Sequence, residues 1–162
     1  MKCFECGGEM IEKRERVTDH HLGLESVVLK NALVRRCKKC GEREIVFEQI
    51  ASLHRLIATT LIQKTTRLVG TEIRYLRKYL GWSSKELARR LGVACETLSR
   101  WENGHETIGP QADRLLRVVV AYKQPTQDYN LERSLEAITA AEPTITSVNV
   151  KIGEAGYELA IA

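Results

Sequence analysis

Two short runs constrain this chain more than anything else in it: "CFECGG" at 3–8 and "CKKCGE" at 37–42. Each sets two thiols three positions apart and puts a glycine directly after the second. That spacing lets one tight turn aim both sulfurs at the same ion, and the glycine permits the backbone conformation the turn needs. Two such turns complete a tetrahedral shell, so Cys3, Cys6, Cys37 and Cys40 are expected to hold one structural Zn2+ per chain. Four thiolates close the shell, which argues against a catalytic metal. A dithiol redox pair would need a thioredoxin-like βαβ setting, which the region lacks, and in a reducing compartment paired cysteines point to metal before disulfide. His20 and His21 are ligands by type, but neighbours on a strand point to opposite faces, and they read as exposed residues at a turn.

Between the knuckles the sequence turns rich in Val and Leu. Strands are expected near 10–17 and 24–36, with "REIVF" at 43–47 as a third. A module confined to residues 1–46 buries little apolar surface. Structural zinc contributes roughly 10–16 kcal/mol in small zinc peptides, so the module is expected to be unfolded without metal.

The 162 residues leave room for one ordinary domain or two small modules. No apolar run is long enough to span a membrane, and "MKCFECGGEM" lacks the apolar core of a signal peptide, so a cytoplasmic chain without membrane association is expected. The net charge of +4 is unevenly spread: residues 71–123 carry +4, whereas residues 124–162 carry −4. An anionic partner would therefore meet the middle of the chain.

Residues 47–70 form a connecting segment, where Ile50, Leu53, Ile57 and Leu61 make the stripe of one amphipathic helix from Glu48 to about Leu68. The stripe can pack on the following domain or on a second chain. His54, on the same helix, reads as a solvated side chain.

The segment 71–123 breaks into short helices. Thr71 is placed to cap the first, with Ile73, Leu76 and Leu80 as its apolar face and Gly81 as its stop. Ser83 and Glu86 have the form of a capping box opening a second helix that ends at Gly92. A third helix follows and is closed by Asn103 and Gly104. Leu87, Ala88 and Leu91 would face Leu98 and Trp101, the pattern of a helix-turn-helix. Gly109 and Pro110 open a fourth helix, with Leu115, Leu116, Val119 and Val120 as its apolar side.

The stretch "SSKELARRLGVACETLSRWENG" resembles the Cro/repressor-like helix-turn-helix domains of the XRE type. Preceded by two cysteine knuckles, it is similar to the MqsA-type antitoxins with their YgiT-type zinc finger, over roughly residues 1–123. "VVLKNALVRRCKKC" also fits that family's strand leading into the second knuckle. The resemblance implies a zinc-binding N-terminal domain that holds an RNA-cleaving toxin, and a C-terminal domain that dimerises and represses its own operon. It implies further that Cys95, Glu96, Thr97, Ser99 and Arg100 face the major groove of double-stranded DNA. Ser83, Ser84, Lys85 and Asn103 would lie near phosphates.

Glu96 departs from that family, which usually has asparagine there. An arginine at 100 can pair bidentately with guanine, but glutamate has no donor with which to imitate an asparagine on adenine. It has two other uses. One is to accept from the amino group of cytosine; the other, weighted more heavily because phosphates repel an acid, is an ion pair with Arg100 four residues on. Glu96 also suits the positive helix start that Ala94 caps poorly. Cys95 reads as a small residue, with a redox sensor as the lesser alternative.

Residues 124–162 fall outside the resemblance. "DYNLERSLEAITAA" has helical periodicity, and "TITSVNVKIGEAGYELAIA" reads as two alternating strands about a turn from Gly153 to Gly156. A lone hairpin is marginal in water, so it is expected to pack on the body or to pair across a dimer.

The fold class is thus multidomain: a small β-rich zinc-binding module, an all-α helix-turn-helix domain and a C-terminal β-hairpin. The function expected is a homodimeric, sequence-specific transcriptional repressor with a palindromic operator, an antitoxin neutralising a toxin protein. A stand-alone XRE-type regulator whose zinc domain binds another protein or a signal is the alternative, and an RNA-binding or scaffold protein a more distant one. No nucleophile, base and metal constellation remains once the cysteines are assigned, so an enzyme is not expected.

Overall fold

The computed structural model describes residues 1–19, 22–24, 27–123, 143–153 and 156–160. Three strands come first: β1 (Met10–Asp19), β2 (Val27–Cys37) and β3 (Arg43–Val46). Five helices follow: α1 (Ile50–Gln63), α2 (Gly70–Tyr79), α3 (Ser84–Leu91), α4 (Cys95–Glu102) and α5 (Pro110–Lys123). The hairpin β4 (Val148–Gly153) and β5 (Gly156–Leu159) closes the described chain. His20, His21 and the helix expected after Lys123 lie outside the described residues, as does the tip of the hairpin turn. No helix among the described residues is long and apolar enough to cross a membrane.

All five strands belong to one sheet in the order β1-β2-β4-β5, with β3 also on β2. One edge of β2 pairs antiparallel with β1. The other edge is shared: Leu33–Arg36 pair antiparallel with β3, and Val27–Lys30 pair parallel with β4. Asn31 divides the two halves. Its φ of 66° turns β2 in mid-strand, and its side-chain amide donates to the Ile152 carbonyl at 2.7 Å. The hairpin therefore packs on the body of its own chain, the first of the two placements expected for it. Val148 and Val150 bury their side chains there.

The stripe on α1 is likewise used within the chain, as Leu53, Ile57, Ala58, Leu61 and Ile62 are buried while Ile50 lies at the exposed start of the helix. The helix is shorter than expected. It stops at Gln63, and residues 64–69 run on without helix into α2. Buried side chains of sheet and helices join in one continuous cluster.

Two expectations for the helices are corrected. Thr71 does not cap α2; the helix begins at Gly70, where the Glu72 carboxylate accepts from the Val69 N–H at 2.9 Å. A Cβ on Gly70 would stand 2.5 Å from the Trp101 carbonyl oxygen and 2.7 Å from that of Glu102, so glycine is what lets α2 start against the end of α4. The buried face of α5 is also rotated from the expected one: Asp113, Leu116, Arg117, Val120 and Ala121 point inward, and Leu115 points out.

Arg117 explains the rotation. It donates to Asp113 at 2.5 Å and to the carbonyls of Ile62, Lys64 and Thr66, satisfying the open C-terminal end of α1, while Asp113 accepts from the Leu68 N–H at 2.7 Å. Both side chains are fully buried.

Candidate metal centre and nucleic-acid interface

Each knuckle makes the same backbone bonds. The Cys3 N–H donates to the Gly8 carbonyl at 2.8 Å and the Gly7 N–H returns to the Cys3 carbonyl at 2.9 Å; Cys37 does the same with Glu42 at 2.9 Å and Gly41 at 3.1 Å. Gly7 and Gly41 hold left-handed φ angles of 67° and 79°, which is why glycine follows the second cysteine each time. The two turns are fastened together by the Lys38 N–H on the Glu9 carbonyl at 3.0 Å and by the Lys38–Glu9 ion pair at 2.6 Å.

This brings the four Sγ atoms within 4.8 Å of one another. Cys3 and Cys40 lie 3.6 Å apart, Cys6 and Cys37 3.4 Å. Zn–S bonds of 2.3 Å in a tetrahedron give an edge of about 3.8 Å, so these thiols need almost no rearrangement around zinc. The space behind them is tight: a Cβ on Gly8 would come within 2.9 Å of the Cys37 sulfur. Electrostatics favours the same ion. The Cys40 N–H pulls the Cys37 thiol down to about 6. The Cys40 thiol, although the Glu42 N–H works the other way, is pushed up to about 12 by its neighbours Cys6 and Cys37. Thiols this close do not all ionise together unaided, and a divalent cation is what lets them. The four cysteines thus form a fitting zinc site, and an ion held there would staple the turn before β1 to the end of β2, where Met10 pairs with Cys37.

The second site lies on α3 and α4. The Ser83 hydroxyl accepts from the Glu86 N–H at 3.2 Å, and the Glu86 carboxylate accepts from the Ser83 N–H at 2.8 Å, closing the expected capping box. The Ser83 N–H foremost, and the Ser83 hydroxyl donating to the same carboxylate at 2.7 Å, hold the Glu86 carboxyl below its usual value. Gly92 ends α3 with a φ of 69°, and Leu87, Ala88, Leu98 and Trp101 are buried at the crossing of α3 and α4.

What orients α4 was not read from the sequence. Buried Glu102 accepts a two-pronged bond from Arg77 of α2, at 2.6 and 3.0 Å, while Arg74 donates to the Glu102 carbonyl at 3.0 Å and to the Asn103 side chain at 2.7 Å. The only available signal was an acid at the end of α4 beside basic residues on α2. Trp82 is covered by the Arg90 guanidinium, 4.3 Å from its ring.

Of the expected DNA-facing residues, Ser83, Ser84 and Lys85 are exposed at the start of α3. Cys95, Glu96, Ser99 and Arg100 are exposed on α4, and Thr97 is half-buried. Asn103 is exposed, with its amide donating to Ser99 at 3.2 Å. The ion pair expected between Glu96 and Arg100 does not form; Arg100 turns toward the loop after α4 and pairs with Glu106 at 3.2 Å. Arg89, absent from the sequence reading, lines the groove between α3 and α4 together with Lys85 and Cys95. Its position one turn after Lys85 was the signal. His54 is half-buried and not solvated as expected: its Nδ1 lies 2.7 Å from the Tyr75 hydroxyl, and burial holds its pKa below the usual value.

A comparison with curated proteins found no match. The sequence profile of the antitoxin component of bacterial toxin-antitoxin systems, MqsA, matches residues 1–126, through both cysteine knuckles and all five helices. This chain belongs to the MqsA antitoxin family.

Proposed function

We propose that the chain is an antitoxin that binds an RNA-cleaving toxin through the zinc module of residues 1–46 and represses its own operon through the helix-turn-helix of residues 71–123, with 47–70 as connector and 124–162 as extension. One observation carries the DNA reading: α3 and α4 cross around a glycine turn and leave Lys85 and Arg89 exposed along the groove between them, with Arg100 exposed further along α4. Ser83, Ser84 and Asn103 would approach phosphates, while Cys95, Glu96, Thr97, Ser99 and Arg100 would face base edges. A palindromic operator calls for two recognition helices one DNA turn apart, hence a homodimer. The stripe Leu115, Val118 and Tyr122 on α5, exposed at helical spacing, is the surface offered to a second copy.

The test is quantitative footprinting and gel-shift titration on the duplex upstream of the chain's own coding sequence, at two salt concentrations. Arg100→Ala should lose specific binding, about 1–3 kcal/mol for a bidentate guanine contact. Glu96→Gln should shift base preference without abolishing binding. Unchanged affinity in the Arg100 variant would overturn this assignment of the interface.

A further inference from the structure

We propose that residues 143–153 form an intramolecular strap that couples the zinc module to the helix-turn-helix, so that loss of zinc loosens α2 and α4. These residues lie beyond the 1–126 that the family profile matches, so the coupling is not one the family's shared region supplies.

The links run through named groups. An ion held by Cys3, Cys6, Cys37 and Cys40 would tie the end of β2, at Cys37, to the turn that leads into β1, where Met10 already pairs with Cys37. β2 carries β4 along Val27–Lys30, and Val150, opposite Leu29, is fully buried. The chain entering β4 then crosses the link between α1 and α2. There the Thr144 carbonyl accepts from the Lys64 ammonium, the Thr144 and Thr66 hydroxyls meet at 3.1 Å, and the Thr146 N–H donates to Glu72 at 3.2 Å.

Glu72 is the point of convergence. Its side chain, 2% exposed, takes Lys64 at 2.7 Å, the Val69 N–H at 2.9 Å and Thr146 at once. One carboxylate therefore holds the inter-helix link, the start of α2 and the strap. A buried ion pair is tolerated only while its remaining donors and acceptors are satisfied. When the sheet loses order, β4 loses its seat, Thr144 and Thr146 leave, and the Lys64–Glu72 pair is left short of partners at the N-terminus of α2. From α2 the effect reaches α4 through Arg77 and Glu102. The sheet, ordered or disordered, is the two-state element that such coupling requires.

The test is hydrogen exchange by mass spectrometry on the full-length chain, zinc-loaded and after chelation, following amides of α2 and α4. In the native chain, zinc removal should speed their exchange at least about tenfold, in line with typical coupling strengths. In Thr146→Pro, which removes the N–H given to Glu72 while leaving β4 in the sheet, the acceleration should fall to about threefold or less. Zinc content measured by elemental analysis should stay at one per chain. Val150→Asp, which unseats β4, should speed α2 exchange even with zinc bound; if that variant does not fold, Thr146→Pro alone decides. Indifference of α2 and α4 to zinc in the native chain, or a full zinc response in Thr146→Pro, would overturn the strap. Neither DNA nor toxin enters the readout, so failure of the proposed function would leave this result standing.

Discussion

Replacing Arg117 with methionine is the severest single test of how the helices are held. The guanidinium is fully buried and serves four acceptors: Asp113 and the carbonyls of Ile62, Lys64 and Thr66. Methionine fills most of the volume but serves none of them. Breaking a buried ion pair from one side costs about 3–5 kcal/mol, because the other charge stays behind. Three carbonyls left without a donor add about 1 kcal/mol each if water reaches them in part. Since these terms overlap, the net is put at about 4–6 kcal/mol, comparable with the whole stability of many domains. At about 2–4 °C per kcal/mol for a chain of this size, Tm should fall by roughly 10–20 °C. Urea titration followed by circular dichroism, with Trp fluorescence as a second probe, measures it. The double variant Asp113→Leu/Arg117→Met should recover part of the loss, because no bare carboxylate is then buried. A loss below about 1.5 kcal/mol in the single variant, or no recovery in the double, would refute the role given to the pair.

Gly70→Ala offers a test of sign. Alanine in a helix normally gains about 1 kcal/mol over glycine, yet here its Cβ would meet backbone carbonyls that cannot step aside, so a net loss of about 2 kcal/mol or more is expected in thermal unfolding. A gain would mean that α2 and α4 do not approach as described. The capping box should respond to acid. Because the Glu86 carboxyl is held below its usual 4.5, its contribution is complete above that value and is lost as pH falls through the lower folded-state value. Glu86→Gln should therefore lower Tm at neutral pH and converge with the native chain under acid, where the native carboxyl is itself neutral, and a constant gap at all pH would contradict this. Leu115→Asp combined with Tyr122→Asp should yield monomers by light scattering; an unchanged dimer would place the contact elsewhere.

The parts legible in the sequence are those whose determinants are local. A metal knuckle is written in five residues, because its turn, ligands and glycine lie within one loop; the Ser83–Glu86 box and the stop at Gly92 are equally short-range. The illegible parts share another property: their determinants are far apart in sequence or carry charge where apolar residues were counted. Nothing near Val148 announces that it will lie opposite Val27, 121 positions earlier. The helical pattern of α5 points to Leu115 because only its apolar residues are counted, whereas Asp113 and Arg117 face inward at the end of α1. Gly70 looked like a break between helices because its necessity comes from the carbonyls of Trp101 and Glu102.

The same contrast bears on the acid that opens α4. A pairing of Glu96 with Arg100 was attractive because both sit on one helix face, but the loop carrying Glu106 lies closer to Arg100, at 3.2 Å. Both members of that pair are more than half exposed, with side-chain accessibilities of 58% and 52%, and exposed pairs contribute about 0–1 kcal/mol. Such a tether positions Arg100 lightly and, under the proposed function, would release it readily to a base. The orientation of α4 rests instead on Glu102, whose side chain is 6% exposed and held by Arg77. In the proposed function, anchoring and reading would therefore fall to different residues of one eight-residue helix. Glu96, free of Arg100, keeps two uses: its charge favours the uncapped N-terminus behind Ala94, and its carboxylate is open to a donor on DNA. Substitutions on the outer face of α4 should accordingly alter which sequence is bound while leaving stability nearly unchanged, whereas Arg77→Met should destabilise the fold and weaken binding to every sequence alike. A variant of Arg77 that unfolded normally but changed base preference would show that the two tasks are not separated in this way.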